Sequence, residues 1–188
     1  MADYITTYSK IHMTPLEPKA EQISIRDIAH ALSLLSRANG HFPEFYSVAQ
    51  HCIHCCEEAG ARGYAPRVCL ACLLHDGAEA YMSDVTRPVK KHMDFYRQAE
   101  DACLAVIYRK YLGRELDEAE EGLVREMDDT LLYHEFYHYM GERLGEEKSL
   151  LLGGQIFETV PFAEAERLYL EKFVYWSEQS GRVENLYF

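Results

Sequence analysis

The sequence predicts an all-α fold, a single helical bundle. Apolar residues recur at helical spacing through most of the 188 residues, and the alternation typical of strands is scarce. Hydrophobic residues make up 48% and charged residues 27% of the chain, which is the mixture of a globular domain with a core. Because no internal repeat, low-complexity segment or linker is visible, we expect one domain over residues 1–183.

The first half of the chain predicts three helices. Residues 23–38 carry apolar side chains at helical spacing and end at Asn39-Gly40, a typical C-terminal stop. Ser47 is expected to cap a second helix that closes at Gly60. Pro66 marks the start of a third helix, whose residues 68–74 are apolar on every side. A helix without a polar face is normally buried, so this one should form the centre of the domain.

The second half begins with a broken region and then becomes regular. Residues 78–82 are expected to add one helical turn, and residues 84–88 should be irregular because Pro88 restricts the residue before it. Further helices are predicted over residues 95–111, 116–140 and 161–176. The last residues, 184–188, are interpreted as the remnant of an expression tag and are given no functional role.

Charge and composition exclude several kinds of function. The net charge of −12 opposes binding of extended nucleic acid, although a locally positive pocket can still accept a small anion. No apolar run approaches the ~18 residues that a membrane span needs, and the N-terminus lacks the basic start and apolar block of a signal peptide. We therefore expect a cytoplasmic protein.

Four polar residues lie where the apolar pattern predicts burial, and burying such side chains without a partner costs free energy. His51 lies on the inward stripe of its helix, and His75 and Asp76 end the most apolar helix. Asp128 shares a stripe with Val124, Leu131, Leu132 and Glu135. Burying an unpaired carboxylate costs several kcal/mol, a cost that a shared divalent cation removes. Two imidazoles and two carboxylates suit a borderline or hard ion such as Mn, Fe, Co, Ni, Zn or Mg.

Each of these residues also has an ordinary interpretation. A single histidine on an apolar face is usually a hydrogen-bonded core residue, and an aspartate in a long helix usually faces solvent. We expect the solvent-facing position for Asp129, paired with Arg125 one turn earlier. Only the joint pattern of the four residues favours a metal site.

The same residues resemble a known family, the HD-domain phosphohydrolases, whose signature is H…HD…D. The resemblance spans about residues 23–140 and is closest to bacterial 5′-deoxynucleotidase-like members. It is carried by four segments in the family's order: Ser47-Val48-Ala49-Gln50-His51, Leu73-Leu74-His75-Asp76-Gly77-Ala78-Glu79-Ala80-Tyr81, Ser83-Asp84-Val85 with Arg87-Pro88-Val89-Lys90, and Glu126-Met127-Asp128. Ser83 replaces the usual glycine before Asp84, and Met127 replaces the usual small residue before Asp128.

The resemblance implies an HD-type helical domain and a role for each matching residue. The metal ligands would be His51, His75, Asp76 and Asp128, holding one divalent ion. Glu79 and Asp84 match the acidic residues that assist catalysis, one as base or water-orienting group and the other as acid, with the roles open to exchange. Arg37 and Lys90 match residues that bind the phosphate of the substrate.

The activity implied is hydrolysis of a small phosphorylated substrate, most simply a (deoxy)nucleoside 5′-phosphate, by metal-activated water. A nucleoside triphosphate, a cyclic nucleotide or a non-nucleotide phosphoester remains an alternative. Hydrolases of the alarmone ppGpp carry a Glu-Asp pair starting three residues after the HD aspartate, whereas here Glu79 is followed by Ala80. Replacing Asp128 with alanine should abolish metal binding and turnover, and Asp129→Ala should have little effect.

The six cysteines allow a hypothesis of a different class. Cys52-x-x-Cys55 and Cys69-x-x-Cys72 have the spacing of a structural zinc site, which would make the chain a zinc-stabilised binding module. Both pairs lie in predicted helices rather than in the turns that zinc knuckles need. We therefore favour buried thiols that pack as small apolar groups.

Partners beyond a small substrate are not defined by the sequence. The last predicted helix has an amphipathic pattern, which is compatible with closing the core and also with a homodimer surface. Tyr133, Tyr137 and Tyr139 follow Asp128 on its helix and could stack on a base, or simply pack with their hydroxyls in water.

Overall fold

Helices carry the fold of residues 3–182, the part of the chain that the computed structural model describes. The all-α class predicted from the sequence is confirmed, and the predicted tag remnant at residues 184–188 lies outside the described residues. In chain order the helices are α1 (Ile25–Leu34), α2 (Val48–Ala61), α3 (Pro66–Leu74), α4 (Glu79–Met82), α5 (Arg87–Lys90), α6 (Asp94–Leu112), α7 (Glu118–Met140) and α8 (Phe162–Gln179).

Helix α3 is the centre of the domain, as its uniformly apolar sequence predicts. Every residue from Val68 to Leu74 is buried, and the helix packs against α2, α6, α7 and α8. One of its last carbonyls is satisfied by a side chain, because the Tyr169 hydroxyl donates to Leu73 O at 2.7 Å. Helix α3 therefore ends inside the protein, and the His75-Asp76 pair that follows starts from a fixed position.

Helix α2 begins where the sequence predicts. The Ser47 hydroxyl accepts a hydrogen bond from Gln50 N, and the Gln50 side chain accepts one from Ser47 N, so two otherwise unpaired amides at the helix start are satisfied. The predicted stop at Gly60 is wrong by one residue, because the helix continues to Ala61. Gly60 instead allows close packing, since a Cβ there would lie 2.8 Å from the Trp176 ring of α8.

The first predicted helix ends earlier than its apolar pattern suggests. It was expected to reach residue 38, but α1 stops at Leu34, and Leu35 is extended. The chain then pairs with the segment before α2, with Arg37 N donating to Tyr46 O at 2.8 Å. This tertiary pairing outweighs local helix propensity, and it turns Arg37 towards the start of α2.

The region between α3 and α6 contains two short helical turns. Helix α4 is the predicted extra turn, but the expectation of irregular structure through residue 88 is wrong, because Arg87 and Pro88 begin α5. Proline is tolerated in the first turn of a helix, where its missing amide hydrogen is not needed. Between the turns, Ser83 has φ 75° and ψ 158°, a backbone conformation that is nearly restricted to glycine.

The remaining helices agree with the sequence pattern to within a few residues. Helix α7 begins at an Asp117 cap and ends at Gly141 in the left-handed conformation. Beyond it, residues 141–161 run without regular structure along α2, where the buried Glu58 carboxylate accepts hydrogen bonds from Leu152 N and Gly153 N, both at 2.9 Å. This buried carboxylate holds an otherwise irregular segment against the core.

Near the N-terminus, β1 (Ile5–Thr6) pairs antiparallel with β2 (His12–Met13), a short hairpin that the sequence pattern does not predict. Within residues 3–182, no helix combines the length and apolar character that crossing a membrane requires.

Candidate metal centre

The structure brings the four predicted metal ligands together at the junction of three helices. His51 projects from α2, His75 and Asp76 follow the end of α3, and Asp128 projects from α7. His51 Nε2 lies 3.3 Å from His75 Nε2 and 3.2 Å from Asp128 Oδ1. Asp76 Oδ2 lies 3.3 Å from His75 Nε2 and 3.8 Å from His51 Nε2. Four potential ligand atoms thus share one small space.

The spacing of these atoms suits a single divalent ion. Ligand atoms about 2.1 Å from a common ion lie roughly 3.0 Å apart at right angles and 4.2 Å apart on opposite sides. The pairs above fall between these limits, as does the 3.9 Å between His75 Nε2 and Asp128 Oδ1. In addition, Asp76 Oδ2 is buried and accepts no hydrogen bond from any described residue. An ion bound there would contact this oxygen directly, whereas its nearest fixed cation, Arg37 Nη1, is 3.5 Å away.

Hydrogen bonds orient both imidazoles so that Nε2 faces the centre. His75 Nδ1 lies 2.7 Å from Cys72 O, which can only accept, so Nδ1 carries the hydrogen. His51 Nδ1 lies 2.6 Å from a carboxylate oxygen of Glu135, with the same consequence. Such contacts fix the tautomer and leave Nε2 available to a metal.

Glu135 is an important residue that the sequence motifs do not identify. It is completely buried, and it also accepts a hydrogen bond from the Tyr46 hydroxyl at 3.0 Å. Although burial opposes its charge, His51 and Arg37 lower the pKa of Glu135 to about 2. Its position seven residues after Asp128, on the same helical stripe, is the signal from which it could have been found.

Charge interactions leave His51 protonated in the metal-free protein. Burial and Arg37 oppose the positive charge, but Glu135 and Asp128 outweigh them and raise the pKa of His51 to about 9. Although burial also opposes ionisation of Asp128, its contacts with His51, His75 and Arg87 hold its pKa well below the usual range. A metal ion would therefore replace a proton on His51 and find Asp128 already charged.

Arg37 lies beside the predicted ligands, on the segment that interrupts the first predicted helix. Its guanidinium nitrogens are 3.5 Å from Asp76 Oδ2, 4.0 Å from Asp128 Oδ1 and 3.5 Å from Glu135 Oε2. Although burial opposes its charge, Glu135, Asp76 and Asp128 hold the pKa of Arg37 well above its usual value. A permanent positive charge thus stands next to the four potential ligands.

Glu79 and Lys90 form a second charged group near the ligands. Lys90 Nζ lies 3.3 Å from Glu79 Oε1 and 2.7 Å from Glu100 Oε1. Glu79 is only 4% exposed, and burial together with Asp76 and Asp84 raises its pKa to about 10. Lys90 is therefore held between two carboxyl groups, and burial makes Glu79 easier to protonate than an exposed glutamate.

Asp84 is the least constrained of the predicted residues. It is half-buried in the connection between α4 and α5, and its charge contributes to the raised pKa of Glu79. The positive φ of Ser83 turns the chain just before it, which gives a physical reason for glycine in the resembling family. The structure thus places Asp84 within electrostatic reach of Glu79, on a different segment.

Arg87 is a further residue at the site for which the sequence pattern indicates no role. Its guanidinium donates to Asp128 Oδ2 at 2.5 Å and to Asp129 Oδ1 at 2.6 Å. The prediction that Asp129 pairs with Arg125 is therefore wrong. Helix α5 places Arg87 against both Asp128 and Asp129, and Asp129 pairs with Arg87 instead. Asp128 uses one oxygen for the histidines and the other for Arg87.

The cysteines do not form the four-thiol site that their spacing suggests. All six are free and buried. Among residues 3–182, the sets of close ligand atoms that include a cysteine are His51 with Cys55 and His75, and Cys52 with His75 and Asp76. Each group contains one cysteine, and both overlap the site described above. The two CxxC pairs therefore lie in the core beneath this site.

The chain is similar to two uncharacterized proteins over part of their length. No family model matches the chain. The uncharacterized protein YfdR of Escherichia coli strain K12 is 36% identical over 108 residues, which is 57% of this chain and 58% of the relative. An uncharacterized protein of Rhodobacter capsulatus is 36% identical over 102 residues, 51% of this chain and 52% of that protein. The chain thus spans little more than half the length of these curated relatives.

Proposed function

We propose that this chain is an HD-type, metal-dependent phosphohydrolase that acts on a small phosphorylated molecule, most simply a nucleoside 5′-monophosphate. The observation that carries the proposal is the convergence of His51, His75, Asp76 and Asp128 from three helices, with pairs of their ligand atoms 3.2–3.9 Å apart. The four residues occur along the chain in the order of the H…HD…D signature. An enzyme of this kind needs them close enough to bind one ion, and their ligand atoms lie at such distances.

The chain provides fixed positive charge where a phosphate would approach. A bound divalent ion supplies acidified water and polarises a phosphoryl oxygen. Arg37 stands within 4.0 Å of Asp76 and Asp128, so its guanidinium is placed to neutralise a neighbouring phosphoryl oxygen. Lys90 lies farther out, between Glu79 and Glu100, and would add charge on the side where the leaving group departs.

The two acidic residues differ enough in environment to divide the proton transfers. Glu79 is buried with a raised pKa, so it can hold a proton and donate it to the leaving oxygen. Asp84 is more exposed and lies on the connection between α4 and α5, where it can orient water or accept a proton.

Lys90 fixes the orientation of the Glu79 carboxyl group. Its ammonium group contacts Glu79 Oε1, while Glu79 Oε2 is buried and has no hydrogen-bond partner among the described residues. One oxygen of Glu79 is thus held, and the other is available to carry the proton towards a substrate.

A phosphate-release screen tests the proposal directly. The purified protein is assayed with ribo- and deoxynucleoside mono-, di- and triphosphates in the presence of Co, Mn, Ni or Mg. We expect release from at least one monophosphate, dependent on the metal and abolished by a chelator. Absence of release from every substrate with every metal would refute the assignment.

A pair of histidine variants distinguishes this site from contaminating phosphatase. His75→Gln should lower the rate at least ~100-fold, because it removes a metal ligand. His92→Gln changes an exposed histidine and should leave the rate within about twofold of wild type. Equal activity in the two variants would assign the hydrolysis to another protein or another site.

A further inference from the structure

Two of the six buried cysteines lie at the candidate metal centre. Among residues 3–182, the close sets of ligand atoms that include a thiol contain Cys52 or Cys55, and the other four cysteines occur in neither set. Cys55 stands four residues after His51 on α2, so the two side chains lie on one face of the helix, one turn apart. Two ligands at this spacing are a common way to hold a metal ion from a single helix.

The Cys55 sulfur lies nearer to the side of the His51 ring that faces the centre. Its Sγ is 3.6 Å from His51 Nε2 and 4.0 Å from Nδ1. Because Nδ1 contacts the Glu135 carboxylate, Nε2 is the nitrogen that an ion would use. One ligand atom each of Cys55, His51 and His75 lies within 4.8 Å of the other two. The sulfur is thus adjacent to both imidazoles that would bind the ion.

The distances at this set match those around a tetrahedral ion. With zinc–nitrogen bonds of about 2.1 Å and a zinc–sulfur bond of about 2.3 Å, two nitrogen ligands lie about 3.4 Å apart, and nitrogen lies about 3.6 Å from sulfur. The observed separations are 3.3 Å between the two Nε2 atoms and 3.6 Å between His51 Nε2 and Cys55 Sγ. Asp76 Oδ2 and Asp128 Oδ1, which lie 3.3 Å and 3.9 Å from His75 Nε2, are both placed to supply a fourth ligand.

Of the two cysteines, Cys55 has the better set of neighbours. Cys52 belongs to a set with His75 and Asp76, which lacks His51. The Cys55 set contains both imidazoles, and hydrogen bonds to Glu135 and to the Cys72 carbonyl hold these rings with Nε2 towards the centre. Cys55 is therefore the thiol that a correctly oriented pair of histidines accompanies.

Ligand chemistry decides which ions would use the sulfur. A thiolate is a soft ligand that zinc binds well, whereas magnesium and manganese prefer carboxylate oxygen and water. When zinc binds, the Cys55 thiol gives up its hydrogen to solvent as a proton, and a zinc–sulfur bond forms. Four protein ligands then close the coordination shell, as in structural zinc sites, and leave no open position for water.

We propose that Cys55 is a ligand for thiophilic ions at this centre, where zinc is held by His51, His75, Cys55 and one carboxylate. The inference rests on the metal centre of the proposed function and adds a second binding mode to it. A harder ion keeps both aspartates and an open position for water, whereas zinc occupies the same centre in a closed form. Zinc therefore competes with the ion that supports hydrolysis.

X-ray absorption spectroscopy at the zinc edge tests the ligand without requiring turnover. The metal-free protein is given one equivalent of zinc, and we expect one sulfur neighbour at about 2.3 Å beside nitrogen and oxygen at about 2.0–2.1 Å. Cys55→Ser should lose the sulfur neighbour. Cys103→Ser removes an equally buried thiol outside both sets and should keep it. Zinc bound by nitrogen and oxygen alone in wild type would overturn the proposal, and so would a sulfur neighbour retained in Cys55→Ser.

Competition between zinc and manganese gives a second readout. The preference for zinc, measured as the ratio of the two dissociation constants, should fall at least ~10-fold in Cys55→Ser and stay within about twofold of wild type in Cys103→Ser. Cys55→Ala replaces the serine variant if that protein does not fold, with the same expected loss. An unchanged preference in a folded Cys55 variant would overturn the proposal.

The outcomes separate this inference from the proposed function. A zinc–sulfur bond in a protein that releases phosphate from no substrate would refute the hydrolase and retain the thiolate ligand. Metal-dependent phosphate release by a protein whose zinc has no sulfur neighbour would do the reverse.

Discussion

Replacing Glu135 with glutamine perturbs the support of the candidate metal centre without touching a predicted ligand. Glu135 is fully buried, and its carboxylate accepts from His51 Nδ1 at 2.6 Å and from the Tyr46 hydroxyl at 3.0 Å. Glutamine has nearly the same shape, but it lacks the negative charge that faces His51 and Arg37. The substitution therefore isolates the electrostatic contribution of this carboxylate.

Two magnitudes follow from this geometry. Loss of a carboxylate that orients a ligating histidine typically weakens metal binding about 10–100-fold, or roughly 1.4–2.7 kcal/mol. Removing one partner of a buried charge pair costs about 3–5 kcal/mol of folding free energy. Asp76 and Asp128 remain within 4.0 Å of Arg37, so we expect the lower end, about 3 kcal/mol.

The assay must separate metal affinity from proton competition. Since Glu135 also raises the pKa of His51 to about 9, zinc affinity is measured with a competing chelator at about pH 9. There only about half of the wild-type protein still carries the proton on His51, so proton competition changes the affinity by no more than about twofold. Urea unfolding of the metal-free protein gives the stability difference. Glu118→Gln, an exposed position on the same helix, is the control and should change stability by about 0.5 kcal/mol or less. Zinc affinity within threefold of wild type in Glu135→Gln would refute the orienting role.

The remaining predictions concern pH, strain and packing. Metal binding must displace the proton that His51 retains up to about pH 9. The dissociation constant of the metal should therefore fall up to about tenfold per pH unit between about pH 6.5 and 9, which isothermal titration can measure. A dissociation constant that did not change with pH would contradict the raised pKa of His51. The same raised pKa predicts that the stabilisation from His51 in the metal-free protein is complete below about pH 6.5 and is lost as the pH rises through 9, which thermal melts can follow. Ser83→Gly should raise the urea-unfolding free energy by about 1 kcal/mol by relieving the strained positive φ, and a decrease would argue against strain there. Gly60→Ala should lower it by about 1–3 kcal/mol, because the added Cβ meets the Trp176 ring at 2.8 Å; unchanged stability would show that α8 moves aside easily.

The predicted ligands could be identified from the sequence because they are polar residues at positions where the helical pattern calls for apolar ones. Polar residues on apolar helical stripes are rare without a partner, so the pattern of apolar residues alone makes His51, His75, Asp76 and Asp128 conspicuous. The same periodicity predicts the central helix and most helix limits, since apolar spacing follows directly from helix geometry. The helical fold class was predictable for this reason.

Other features depend on contacts between distant segments. The end of α1 is set by pairing between Arg37 N and Tyr46 O, which no periodicity within residues 23–38 reveals. The contact of Arg87 with Asp129 arises because α5 folds across α7, whereas the sequence offers only the local partner Arg125. Glu135 lies on the same stripe as Asp128, but its contact with His51 requires α2 and α7 to be adjacent. Long-range packing supplied these features.

Metal content is the most direct test of the central claim, that two histidines and two aspartates hold a single divalent ion. The protein is loaded with cobalt, dialysed, and analysed by elemental mass spectrometry beside two aspartate variants. We predict about one ion per chain in wild type and in Asp101→Asn, which alters an exposed residue of α6, and less than about one tenth of that in Asp128→Asn. A full complement of cobalt in folded Asp128→Asn protein would contradict the claim.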